Sequence, residues 1–158
     1  MRQTARPLPD LIKKLFGLHI CFILITPLLL TFNRFSIGGP LAYAAILFWV
    51  GFRRTEKFLK PLRTTLLAGY FSQLPGIIIT LIIMAGNRLP FANDAFDFLI
   101  QIWQTPLSPI YPLLPRTSLL GIPLYFCLTL TASFLLPLIP AGGAYLSQKL
   151  KKSDQATV

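Results

Sequence analysis

The sequence predicts an all-α membrane protein, a four-span transmembrane helical bundle with an outer interfacial amphipathic helix and a polyproline-like segment between spans three and four. Three observations predict it. Hydrophobic residues make up 54% of the 158 and charged residues only 13%, where soluble domains carry about one quarter charged. Four apolar runs, at about 15–32, 37–52, 66–85 and 117–146, reach or approach the ~20 residues needed to cross a hydrocarbon core about 30 Å thick. The Lys and Arg residues gather at the ends of those runs, and short loops rich in them stay on the cytoplasmic side. A single integral membrane domain, 1–158, accounts for the chain.

Charge sets the threading. The inner loop 53–65 holds Arg53, Arg54, Lys57, Lys60 and Arg63 against one carboxylate, Glu56. Arg2, Arg6, Lys13 and Lys14 precede the first run, and Lys149, Lys151 and Lys152 follow the last. Four spans therefore put twelve of the 15 cations inside and leave Arg34, Arg88 and Arg116 outside, with both termini cytoplasmic. Anionic lipid head groups at the inner face are the expected partners of this charge. A net charge of +10 in a soluble chain would suggest nucleic acid. Here no exposed aromatic platform is interleaved with the cations, so nucleic-acid binding is not expected. Short loops and the lack of any N-x-Ser/Thr acceptor point to a bacterial plasma membrane.

In the first run, Pro7 and Pro9 hold the helix start back and Pro27 marks a kink. The run exceeds the apolar stretch of a secretory signal, about 7–15 residues, and reads as a retained span. The second opens on Gly38-Gly39-Pro40, with proline suited to a first turn, and Trp49 fits an interfacial anchor near its far end. In the third, Ala68, Ser72, Gly76 and Thr80 recur at every fourth position. That spacing lines one helical face with small side chains and lets a neighbour approach closely, which makes this span the expected packing centre. Pro75-Gly76 should bend it. The fourth run is too long for one straight crossing, and Pro137, Pro140 and Gly142-Gly143 predict tilt or a break toward its inner end.

The outer connection 87–116 is the most distinctive stretch. From Asn93 to Thr105, polar Asn93, Asp94, Asp97, Gln101, Gln104 and Thr105 oppose Ala95, Phe96, Phe98, Leu99, Ile102 and Trp103 at helical spacing. This predicts a helix lying at the outer interface, with Ile100 at the boundary of its two faces. Pro106, Pro109, Pro112 and Pro115 follow at intervals of three, the period of a polyproline II helix.

Few residues offer chemistry. An ionisable group inside a span is costly and becomes a default site hypothesis. His19 is the only histidine and lies about 6 Å past the start of its run; a neutral imidazole bonded to a carbonyl near the interface competes with a proton relay. Gln73, two residues before Pro75, can bond a freed carbonyl, a neighbouring helix or a solute. Asp94 and Asp97 share a helical face, and Arg88 and Arg116 flank the connection and are candidates to pair with them. Cys21 and Cys127 lie in separate apolar runs, as small buried hydrophobes without a disulfide. No hydrolase, metalloprotease, Walker-type or dinucleotide motif occurs, and no catalytic residue, cofactor or metal is expected. The functional expectation is a structural, accessory or assembly factor, acting through lipid contacts or through a membrane protein partner or homo-oligomer. The alternative is a small transporter or channel subunit working as an oligomer, suggested by the Pro and Gly interruptions of the spans.

Overall fold

A computed structural model describes residues 7–31, 37–54, 58, 60–85, 94–119 and 122–156. The protein is all-α, with α1 (Pro7–Thr31), α2 (Gly38–Arg54), α3 (Pro61–Ser72), α4 (Leu74–Ala85), α5 (Asp94–Trp103), a 3-10 helix (Thr105–Leu113), α6 (Leu124–Leu135) and α7 (Leu138–Ala156). Strands β1 (Ser118–Leu119) and β2 (Ile122–Pro123) pair antiparallel just before α6.

Among the described residues there are, by length and composition, one to three candidate membrane spans. Helix α1 qualifies alone, and α3 with α4 and α6 with α7 qualify only as bent pairs, at 60° and 44°. Helix α2, with 17 residues, spans about 25 Å and falls just short. The expected count of four rests on including it.

Element boundaries depart from expectation for identifiable reasons. Helix α1 begins at Pro7 instead of near 15, because the first turn of a helix has no intrahelical use for the N–H groups that Pro7 and Pro9 lack. It continues through Pro27 as one helix. The third run is broken at Gln73, whose N–H closes α3 on the Gly69 and Tyr70 carbonyls. Two residues on, Pro75 has no N–H to give the Phe71 carbonyl and its ring crowds that group. The fourth run opens as the β1–β2 hairpin, becomes helical only after Pro123, breaks at Leu136–Pro137, and continues to Ala156.

Apolar runs that follow one another in the chain are antiparallel, which leaves α1 parallel to α3 and α2 parallel to α7. Leu29 of α1 meets Gly39 of α2, while Leu15 and Leu47 share a wall with Gly69, Leu136 and Pro140. One end of the bundle, the basic end, therefore collects Lys13, Lys14, Arg53, Lys60, Arg63, Lys149 and Lys152. The far end holds the finish of α4 and the start of α6. The third run does lie at the centre, with α3 against α1 and α7, and Ala68, Ser72, Gly76 and Thr80 are all buried. The closest helix approach lies elsewhere. A Cβ at Gly51 would strike the Pro140 backbone, and one at Gly143 the Phe48 carbonyl, so α2 and α7 touch main chain to main chain.

The distribution of side chains is inverted relative to a soluble domain. Leu24 and Met84, both 68% exposed, head a long series of exposed large apolar residues, while His19, Thr26, Thr65, Gln73, Gln104, Thr129 and Ser133 are buried. Water does not favour that surface; hydrocarbon does. Cys21, expected inside, is exposed on this apolar surface, Cys127 is half-buried, and no disulfide joins them.

Candidate functional site

The 94–113 segment packs into the bundle and is not extended. Helix α5 packs along α4 and α6 and drives its C-terminal end into the bundle, where Ile100 and Gln104 are completely buried. The chain turns at Gln104 and returns as the 3-10 helix, so that Phe98 on the inward limb and Tyr111 on the outward limb line one groove. Of the apolar face of α5, Phe98 (63%), Leu99 and Ile102 are exposed away from the bundle, whereas Phe96 is half-buried and Trp103 is buried inside it, and the residue placed at the boundary, Ile100, is the one most deeply packed.

Three of the four prolines, Pro106, Pro109 and Pro112, belong to a 3-10 helix and not to polyproline II, and Pro115 lies past its end. Both conformations repeat every three residues and accept proline's fixed φ. Three-residue hydrogen bonds decide between them: Leu107 N–H donates to the Gln104 carbonyl at 2.9 Å, and Leu114 N–H to the Tyr111 carbonyl at 3.1 Å. Pro106 and Pro109 are buried where this limb packs against α1 and α2, and Pro112 and Pro115 are exposed beyond it.

At the hairpin's tip lies a closed polar cluster. Helix α5 ends at Trp103, which leaves its carbonyl without an intrahelical donor, and His19 Nε2 meets that oxygen at 3.0 Å. A carbonyl only accepts, so Nε2 carries the proton and Nδ1 is the acceptor. The Tyr43 hydroxyl donates to Nδ1 at 2.5 Å, and the Gln73 amide approaches it at 3.4 Å. An indole N–H only donates, so Trp103 Nε1 gives its proton to Gln73 Oε1 at 3.0 Å. The His19 ring packs on the Trp103 indole at 4.4 Å, and Phe22 covers Tyr43 at 4.9 Å.

Four elements are thereby fastened to the tip: α1 through His19, α2 through Tyr43, and α3 and α4 through the break at Gln73. Helix α6 is the fifth, since Gln104 Nε2 donates to Ser133 Oγ at 2.7 Å. Gly76 makes this possible, because a Cβ there would overlap Ser133 Oγ and the Trp103 indole. The two breaks also meet, with Ser72 and Gln73 of one and Leu136 and Pro137 of the other lining one crevice. Only about 10 Å³ of free volume lies beside Gln73, roughly one water.

His19 and Gln73, singled out from sequence, are thus brought together, but deeper than expected. Because α1 starts at Pro7, His19 stands midway along it, roughly 18 Å from its first residue. Tyr43, Trp103, Gln104 and Ser133 escaped the sequence reading. The available signal was complementary: a histidine and a glutamine inside apolar runs need buried donors and acceptors, which tyrosine and tryptophan carry. The outer candidates do not assemble. Asp97 is half-buried on α5 and Arg116 is exposed beyond the 3-10 helix, with no ion pair between them among the described residues. Asp94 opens α5, while its side chain and all of Arg88 fall outside the described residues.

Arg116 instead lines a groove at the far end of about 460 Å³, with Pro112, Pro115, Ser118, Pro123 and Tyr125. A second compartment of about 260 Å³ runs past Phe98, Ile102 and Ser108. Burial pushes the Tyr111 phenol above its ordinary pKa. Its hydroxyl is shielded without a hydrogen-bond partner, and Thr129, which approaches it, already donates to the Tyr125 carbonyl at 2.8 Å. The chain matches no protein-family model, no curated protein and no solved structure.

Proposed function

We propose that the chain is a four-span integral membrane protein, with α1, α2, the bent pair α3–α4 and the bent pair α6–α7 as spans. Both termini lie on the cytoplasmic side of a bacterial plasma membrane, and the α5/3-10 hairpin enters from the outer side and returns to it. Its role is structural, accessory or assembly: it presents a fixed outer surface to a membrane protein partner or to lipid. The polar cluster at the hairpin tip carries this reading. His19, Tyr43, Gln73 and Trp103 direct their hydrogen bonds at one another, which suits a clamp that fixes an outer element more than a solute path. Apolar exposure around the helices and cations at one end support the membrane placement.

One observation favours the transporter alternative. The breaks in the two bent pairs face each other, with Gln73 and Pro137 lining one crevice, and opposed broken helices build midplane sites in many carriers. Crosslinking in native membranes followed by purification separates the readings. The accessory role predicts a membrane protein recovered in fixed ratio with the chain, lost when the hairpin tip is loosened by Gly76→Leu. Recovery of the chain alone, with solute flux in proteoliposomes that Gln73→Ala abolishes, would establish the alternative.

A further inference from the structure

We propose that the far-end groove is a binding site for one anionic phospholipid, with the phosphate at Arg116 and an acyl chain lying along Phe98 and Ile102. This rests on the membrane placement above and goes beyond it to a ligand class. The two compartments, about 460 and 260 Å³, share Tyr111 and Tyr125 as walls, whose rings stand 6.3 Å apart. Together they form one groove, and the larger part alone has the size of small-molecule sites, roughly 300–1,000 Å³.

Chemistry is segregated along the groove. Among the described residues, Arg116 is the only charged one lining either compartment, and no described carboxylate shares them. Its fork of donors suits a phosphate better than any other common anion of a bilayer surface, and the Thr117 and Ser118 hydroxyls beside it are exposed. Pro112, Pro115 and Pro123 wall this end, so little backbone freedom is lost on binding. At the other end Phe98 and Ile102 are exposed, on the face of α5 that looks away from the bundle. A soluble anion would leave that apolar half unused; an amphiphile fills both.

The test uses the full chain, purified in neutral detergent and stripped of lipid, titrated in native mass spectrometry. Phosphatidylglycerol, phosphatidylcholine of the same chain length, and inorganic phosphate are the probes. The wild type should bind phosphatidylglycerol about tenfold more tightly than phosphatidylcholine, Arg116→Gln should erase that preference, and Arg116→Lys should keep part of it. Phe98→Ala should weaken both lipids to a similar degree, and Lys149→Gln, at the basic end, should change neither. Equal binding of the two lipids, a preference that survives Arg116→Gln, or full displacement of phosphatidylglycerol by inorganic phosphate overturns the proposal. Carbonate washing of the membranes separates its failure from that of the placement. A chain that stays membrane-bound but shows no preference sinks the groove alone, and a chain released by carbonate sinks both.

Discussion

His19 is tied at both ring nitrogens, and each tie ends on a different element. His19→Ala leaves the Tyr43 hydroxyl and the Trp103 carbonyl buried without their partner, at a cost of roughly 1–3 kcal/mol for each unsatisfied group. A drop in melting temperature in detergent, larger than that of Tyr43→Phe, is the expected result. Tyr43→Phe removes one donor and leaves the Gln73 amide free to serve Nδ1. Glycines give a sharper contrast. Gly51→Ala and Gly143→Ala place a Cβ into rigid main chain and should destabilise by at least about 1–3 kcal/mol. Gly17→Ala, with open space around it, should gain about 0.5–1 kcal/mol. If all three melt alike, the α2–α7 contact is misassigned. His19 and Gln73 were legible in the sequence because a bilayer makes any polar side chain conspicuous. Tyr43 and Trp103 were not, since aromatic residues in apolar runs look like filling, and Gly51 and Gly143 carry no pattern until α2 and α7 are known to touch.

The helical hairpin shows where local signals stop deciding. An amphipathic period says that α5 has two faces but not what each face meets. In water the apolar face packs inward; here Phe98, Leu99 and Ile102 are exposed and Ile100 is buried. The proline period is equally double, because three residues per turn describes both polyproline II and the 3-10 helix. Only the packing of Pro106 and Pro109 against α1 and α2 selects the compact form. Breaks in the longer elements were more legible: Pro75 predicted the bend near Gln73, since a missing donor acts locally whatever the surroundings. The hairpin makes a direct prediction. In a Cys21→Ser, Cys127→Ser background, cysteines at Ala95 and Ser118 should react with an impermeant maleimide from the same side of sealed vesicles. A cysteine at Ile100 should stay unreactive. Labelling of Ala95 and Ser118 positions from opposite sides would mean that the segment crosses the membrane.

For the whole molecule, helix packing and charge lead independently to one arrangement. Contacts at Gly39, Gly51, Gly69 and Gly143 order the helices so that the start of α1, the end of α2, the start of α3 and the end of α7 lie together, and these helix ends carry most of the described cations. Moving that end through hydrocarbon would cost roughly 2.5–3.5 kcal/mol for each charge placed at the bilayer centre, far more than any single contact in the bundle returns. The threading is therefore set by the loops and the packing by the glycines and the polar cluster. Both termini should accordingly report from the cytoplasmic side. Single cysteines at Pro9 and Lys152, in the same cysteine-free background, are predicted to react in inside-out vesicles and to be protected in right-side-out ones. Neutralising Arg53, Arg54, Lys57, Lys60 and Arg63 together should produce a mixed population of orientations, seen as partial labelling of both positions in both vesicle types. If the two positions label from opposite sides in the unaltered loop, α2 does not cross, the odd number of spans that remains separates the termini, and the charges at the two ends of the chain face different compartments.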